Sequence, residues 1–138
     1  MKLDIDIKQL LSAVDVPAQW VGLREVYEAH TPRMIRDGVP VANGRASTHG
    51  VMVEVLVNGQ FGYYGTPDMS PESIANAAKK AYQQAEIASW HANYQFDESA
   101  RPSHTGSYSS PFSQNRESLS AGKLNEILLE AYNHLKVS

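Results

Sequence analysis

Cysteine is absent from all 138 residues. That removes disulfides, thiolate nucleophiles and thiolate metal ligands together, and it fits a cytoplasmic setting. Also missing is any apolar run near the roughly 20 residues that a membrane-spanning helix needs. The first nine residues, MKLDIDIKQ, have their apolar positions interrupted by Asp4 and Asp6, unlike a secretory signal. No excess of positive charge exists: 12 Lys and Arg against 15 Asp and Glu give a net charge of −3. Nucleic-acid binding demands a clustered basic face, so the charge balance argues against it.

Catalytic signatures are equally scarce. The five histidines (His30, His49, His91, His104, His134) never stand three to five residues apart, so no helical His pair can hold a metal. No His-Glu-x-x-His and no Gly-x-Ser-x-Gly occurs. Asp97 and Glu98 are neighbours in an irregular stretch, where two solvated charges are the ordinary outcome. A site assembled from His91, His104 and Asp97 is the one enzymatic arrangement the chain could offer. Gly59, Gly62 and Gly65 are spaced like a phosphate loop but follow a hairpin turn, not a strand entering a helix. The chain alone is therefore read as non-catalytic, with no cofactor of its own.

What is present is a hairpin feeding into a helix, from Gly50 to Ser89. Val51, Val53, Val55 and Val57 alternate, the period-2 mark of a half-buried strand. Asn58-Gly59 supplies the two positive-φ positions of a tight turn. The turn fixes the register: Val57 opposite Gln60, Leu56 opposite Phe61, Val55 opposite Gly62, Glu54 opposite Tyr63, Val53 opposite Tyr64. One face then holds the valines and Tyr64, with a gap at Gly62. Pro67-Asp68 ends the strand, and Ser70-Pro71-Glu72 starts a helix. Its stripe of Ile74, Ala77, Ala78, Ala81, Ala85 and Ala88 has little reach, so it must lie close over the valines. The opposite face carries Met52, Leu56, Phe61 and Tyr63 beside Glu54, too apolar to stay bare.

Before the hairpin, a helix is predicted over 5–14 with Ile7, Leu10, Leu11 and Val14 inward. A strand follows over 20–31, a second over 33–36 through the Asp37-Gly38 turn, and a weak edge strand over 39–48. The fold class is α+β: an antiparallel sheet of four to five strands against two to three helices. Three regions follow: an α+β domain at 1–91, an irregular linker at 92–117, and a helix over 118–138 that completes or leaves the domain. The irregular stretch can serve as an arm touching a partner through Tyr94, Phe96, Tyr108 and Phe112. The chain stops almost at the end of its last helix, as a sequence cut rather than finished.

The run VMVEVLVNGQFGYYGTPDMSPESIANAAKKAYQQAEIAS resembles the N-terminal domain of the TldD/PmbA family, also called modulators of DNA gyrase. The matching features are Val51 to Gly59, Phe61-Gly62, Met69-Ser70-Pro71-Glu72 and the Ala-rich helix from Ala75 to Ala88. The resemblance implies a part of a zinc metalloprotease assembly of two homologous subunits, one metal-bearing, enclosing a cavity for unfolded peptides. Its zinc ligands would lie in a C-terminal domain, and their motif does not occur here. The implied partners are a homologous subunit or C-terminal domain and, through the assembly, an unfolded peptide; neither nucleic acid nor membrane is implied. The expected contact residues are Met52, Leu56, Phe61, Tyr63, Tyr108 and Phe112, with the first or last helix as an alternative cover for the sheet. A second reading is a stand-alone interaction module that binds extended peptides along a sheet edge.

Overall fold

The computed structural model describes residues 6–103, 106–113, 115 and 118–135. In chain order these form α1 (Ile7–Leu11), β1 (Trp20–His30), β2 (Arg33–Arg36), β3 (Val39–Asn43), β4 (Ala46–Val57), β5 (Gln60–Thr66), α2 (Pro71–Ser89) and α3 (Ala121–Leu135), with a 3-10 turn at Glu98–Ala100. The fold is α+β, as its alternations imply. Its five strands divide between a three-stranded sheet, ordered β1-β4-β5, and a two-stranded ribbon of β2 and β3. Two compact units result: residues up to 28 with 48–104, and 29–47 with 105–138.

The first unit is built around the hairpin. Asn58 and Gly59 take φ of 48° and 75°, the left-handed conformation that a two-residue turn between twisted strands requires. Every pair predicted from that turn is present, from Val57↔Gln60 to Val53↔Tyr64, and the ladder continues to Val51↔Thr66. Behind the sheet, Val51, Val53, Val55 and Val57 are buried against Ile74, Ala77, Ala78, Ala81 and Ala85 of α2. Leu10 of α1 joins this cluster, with Val21 and Leu23 of β1 packed at its margin. Gly62 makes the close approach feasible: a Cβ there would sit 2.0 Å from the Ala81 carbonyl oxygen and 2.9 Å from the Ala85 Cβ. Ala88, expected in the stripe, is exposed, so the last turn of α2 projects past the buried valines.

Local chemistry sets the helix ends. Ser70 Oγ accepts from Ser73 N at 3.3 Å, and Asp68 accepts from Ser70 N at 3.0 Å and from Ser73 Oγ at 2.6 Å. These contacts hold the Asp68 carboxyl below the ordinary aspartate range, the Ser73 hydroxyl contributing most. α1 is shorter than its hydrophobic spacing predicts, because the chain beyond Leu11 tightens: Ala13 and Val14 donate to the carbonyls of Leu10 and Leu11. The predicted start of the first helix at residue 5 and the predicted end of the last at 138 lie outside the described residues. α3 starts at Ala121, later than the predicted 118, because Ser120 Oγ caps Lys123 N at 3.1 Å.

In the second unit, Asp37 and Gly38 turn β2 into β3 with φ of 50° and 76°. The register slips between Met34 and Ile35, Ile35 facing Pro40 and Met34 facing Ala42, so Val41 is the extra residue of a bulge. The bulge accommodates Pro40, which cannot donate to a ladder.

Gly62→Ala should lower stability to urea by about 3 kcal/mol or more, since a backbone carbonyl cannot yield as a side chain does. Gly65→Ala, whose Cβ would meet only Met52 Cε at 3.8 Å, should stay within about 1 kcal/mol of the parent. The Asp68 carboxylate stabilises α2 above its unfolded pKa, and that contribution is lost as pH falls through the lowered folded value. Chemical denaturation of Asp68→Asn against the parent should therefore show a gap at pH 7 that closes below about pH 4.

Candidate functional site

The other face of the three-stranded sheet gathers the exposed aromatic and charged groups of the first unit. β-Strand alternation puts Met52, Glu54 and Leu56 of β4 on this side, opposite the valines, with Phe61, Tyr63 and Gly65 beside them on β5. From β1 come Trp20, Gly22 and Arg24. Gly22 has no side chain because the Trp20 indole occupies its space, a Cβ there falling 2.2 Å from the ring. Trp20 meets Phe61 edge-on at 6.3 Å between centroids.

This face is not bare. After α2 the chain folds back, and Tyr94 to Arg101 lies across the β5 side of the sheet. Phe96 N donates to Gly59 O at 2.8 Å, and Gln60 Nε2 donates to the Tyr94 carbonyl. Phe96 packs at a tilt against Phe61, 5.5 Å between centroids, and edge-on to Tyr94 at 4.9 Å. Arg101 closes the strap: its Nε donates to Glu54 Oε1 at 3.0 Å, and its guanidinium lies 4.3 Å over the Phe61 ring. Its Nη2 also reaches Glu54 and, at 3.4 Å, the Tyr63 hydroxyl. The bond to Glu54 raises the Arg101 pKa above its ordinary value. Partial burial, then the Glu54 carboxylate, push the Tyr63 phenol up.

Beyond the strap the face stays open. A groove of about 360 Å³ is lined by Arg24, Val26, Thr48, Met52 and Gly65 of this face together with His49, Val51 and Pro67. A smaller hollow of about 130 Å³ between Trp20, Arg24, Met52 and Glu54 continues it. Arg24 is exposed and makes no ion pair among the described residues. On the valine side, past the end of the helix-covered patch, His49 Nε2 lies 2.8 Å from Glu25 Oε1 with Tyr27 packed edge-on.

The structure brings Met52, Leu56, Phe61 and Tyr63 onto one face, with Leu56 fully buried beneath it and Tyr63 43% exposed. Tyr108 and Phe112 belong to the second unit, where both are highly exposed. Asp97 caps the 3-10 turn by accepting from Ser99 N at 2.8 Å, which lowers its pKa through the two Ser99 bonds. That role leaves the His91, His104 and Asp97 arrangement without support, and His104 lies outside the described residues. Among the described residues no group of three His, Asp or Glu side chains is placed to hold a metal. Trp20, Arg24 and Arg101 were not read from sequence as parts of the site. The strand parity Trp20-Gly22-Arg24 could have signalled the first two; nothing local marks Arg101.

A family comparison fits this geometry. Residues 21–85 match the family described as PmbA/TldA metallopeptidase domain 1. The matched span is a first domain of that family. It begins with β1 and ends inside α2 at Ala85, one of the alanines packed on the valine face. No curated protein and no solved structure matches the chain.

Arg101→Ala should free the strap while keeping the sheet. Limited proteolysis should then cut within 92–101 several-fold faster, with global stability little changed, since a solvent-exposed ion pair and cation–π contact stabilise weakly.

Proposed function

We propose that this chain serves as the non-catalytic first domain of a PmbA/TldA-type zinc-dependent peptidase acting in the cytoplasm. In this reading the second face of the three-stranded sheet forms part of a contact with a homologous subunit or a metal-bearing domain. It also helps wall the cavity through which unfolded peptides reach the metal. The observation that carries the proposal is the family match over residues 21–85 together with an open groove and exposed aromatic side chains on that same span. Aromatic and arginine side chains are the groups that most often anchor protein contacts. Met52, Phe61 and Tyr63 present the contact, Leu56 supports it from beneath, and Tyr108 and Phe112 add a second patch.

Among the described residues no trio of His, Asp or Glu side chains is placed to hold zinc. In this reading hydrolysis is the task of another domain, and this chain supplies shape and surface. A second reading follows from the sheet order: β1 and β5 are both edges, and an extended peptide can add to such an edge through main-chain hydrogen bonds.

The test is association with a PmbA/TldA-type subunit that carries the metallopeptidase domain, measured by titration calorimetry. Met52→Asp with Tyr63→Ala should weaken association about tenfold or more, the usual effect of removing an aromatic anchor, with the melting temperature nearly unchanged. If the full chain binds unfolded peptides alone and ignores that subunit, the edge-binding reading replaces the proposal.

A further inference from the structure

The second unit holds a cavity that the peptidase reading does not use. It measures about 680 Å³, and its walls include Thr31, Arg33, Arg45, Leu119, Ala121 and Leu124. Among the described residues two guanidinium groups line it and no carboxylate does. Arg33 is held in place: Nη1 donates to Pro32 O and to Gly44 O, both at 2.8 Å, across the base of the β2–β3 ribbon. Those bonds fix the plane of the guanidinium but leave its Nε shielded from solvent with no acceptor. Thr31 Oγ1 is shielded and unpartnered in the same way. Arg45 is exposed and has no ion-pair partner among the described residues. Lys123 of α3 is already paired with Glu126 at 3.1 Å.

We propose that this cavity is a binding site for an oxyanion, a carboxylate or phosphate group carried on a ligand with a small apolar portion. Two guanidinium groups lining one cavity, with no carboxylate among its described lining residues, leave positive charge there uncompensated. A guanidinium already anchored through Nη1 can turn its Nη2 to an oxyanion in fixed geometry, at low ordering cost. Arg45 adds the second positive charge. The first turn of α3, starting at Ala121, forms one wall and presents amide donors of favourable polarity. Leu119 and Leu124 supply the apolar side, and the volume exceeds what a bare ion fills. The site lies entirely within the second unit.

The experiment is an NMR titration of the full chain, at constant ionic strength, with inorganic phosphate and with N-acetyl-leucine, using chloride as the control. The expected result is saturable shifts of the Arg33 Nε–H and the Ala121 and Gly122 amides with at least one of the two probes. Phosphate alone would identify a phosphorylated ligand, and N-acetyl-leucine alone a carboxylate such as a peptide terminus. Arg45→Ala touches no packed contact and should weaken binding about tenfold, the scale of one charge-assisted hydrogen bond. Arg33→Lys, which keeps charge but loses the fork, should also weaken it. Shifts no larger than with chloride, or saturable binding unchanged in Arg45→Ala, overturn the proposal.

Discussion

A glycine facing a helix backbone sets the dimensions of the first unit. The space a Gly62 side chain would need is taken by the Ala81 carbonyl and Ala85, so α2 can lie against β5 with almost nothing between them. Alanines at 77, 78, 81 and 85 complete the fit, each nearly or fully buried. Short side chains on the helix then require branched ones on the strand to fill the remaining volume, and the four valines do so. Ile74 is the one long buried side chain on α2, near the capped end that Ser70 and Asp68 fix. Spacing, cap and gap are one solution to one problem: seating a helix within reach of a sheet without leaving voids.

Closing one face so tightly leaves the other to carry recognition. Its residues are larger, more aromatic and more polar, and they are organised by contacts across long sequence separations. Glu54 and Arg101 are 47 residues apart, yet their pair with Phe61 between them anchors the strap. Ion pairs with this much solvent contact stabilise weakly, whereas the valine–alanine interface is dry. A firm side and a lightly held side on one sheet suit a domain whose task is to present a surface rather than to perform chemistry.

The hairpin was legible residue by residue because its determinants are local. Asn58-Gly59 admits essentially one turn, and the turn fixes every pair that follows. The α2 start was legible for the same reason, its cap lying within six residues. What could not be read depends on the third dimension. Tyr94 to Arg101 has no periodicity, so its return to the sheet is set by contacts distant in sequence, among them Phe96 on Phe61 and Arg101 on Glu54. The division of five strands between a sheet and a ribbon also escaped, because alternation in β2 and β3 reports pleating and not which neighbour a strand chooses. Arg33 and Arg45 look like scattered charges in sequence. Only the folded ribbon puts both on one cavity.

The boundary of the family match bears on what is general in this architecture. It closes at Ala85, after the last alanine that touches Gly62, so it spans the tight interface. The strap, from Tyr94 onward, lies outside it. Cover for the second face is thus supplied by chain beyond the matched segment, held by one ion pair, one cation–π contact and a few hydrogen bonds. The contacts that define the domain and those that shield its recognition face are physically separate. A change in the strap can alter how much of Phe61 and Tyr63 a partner meets while the packing of α2 on the valines stays as it is. Tuning the surface without remaking the core needs such a separation, and the placement of Arg101 over the sheet provides it.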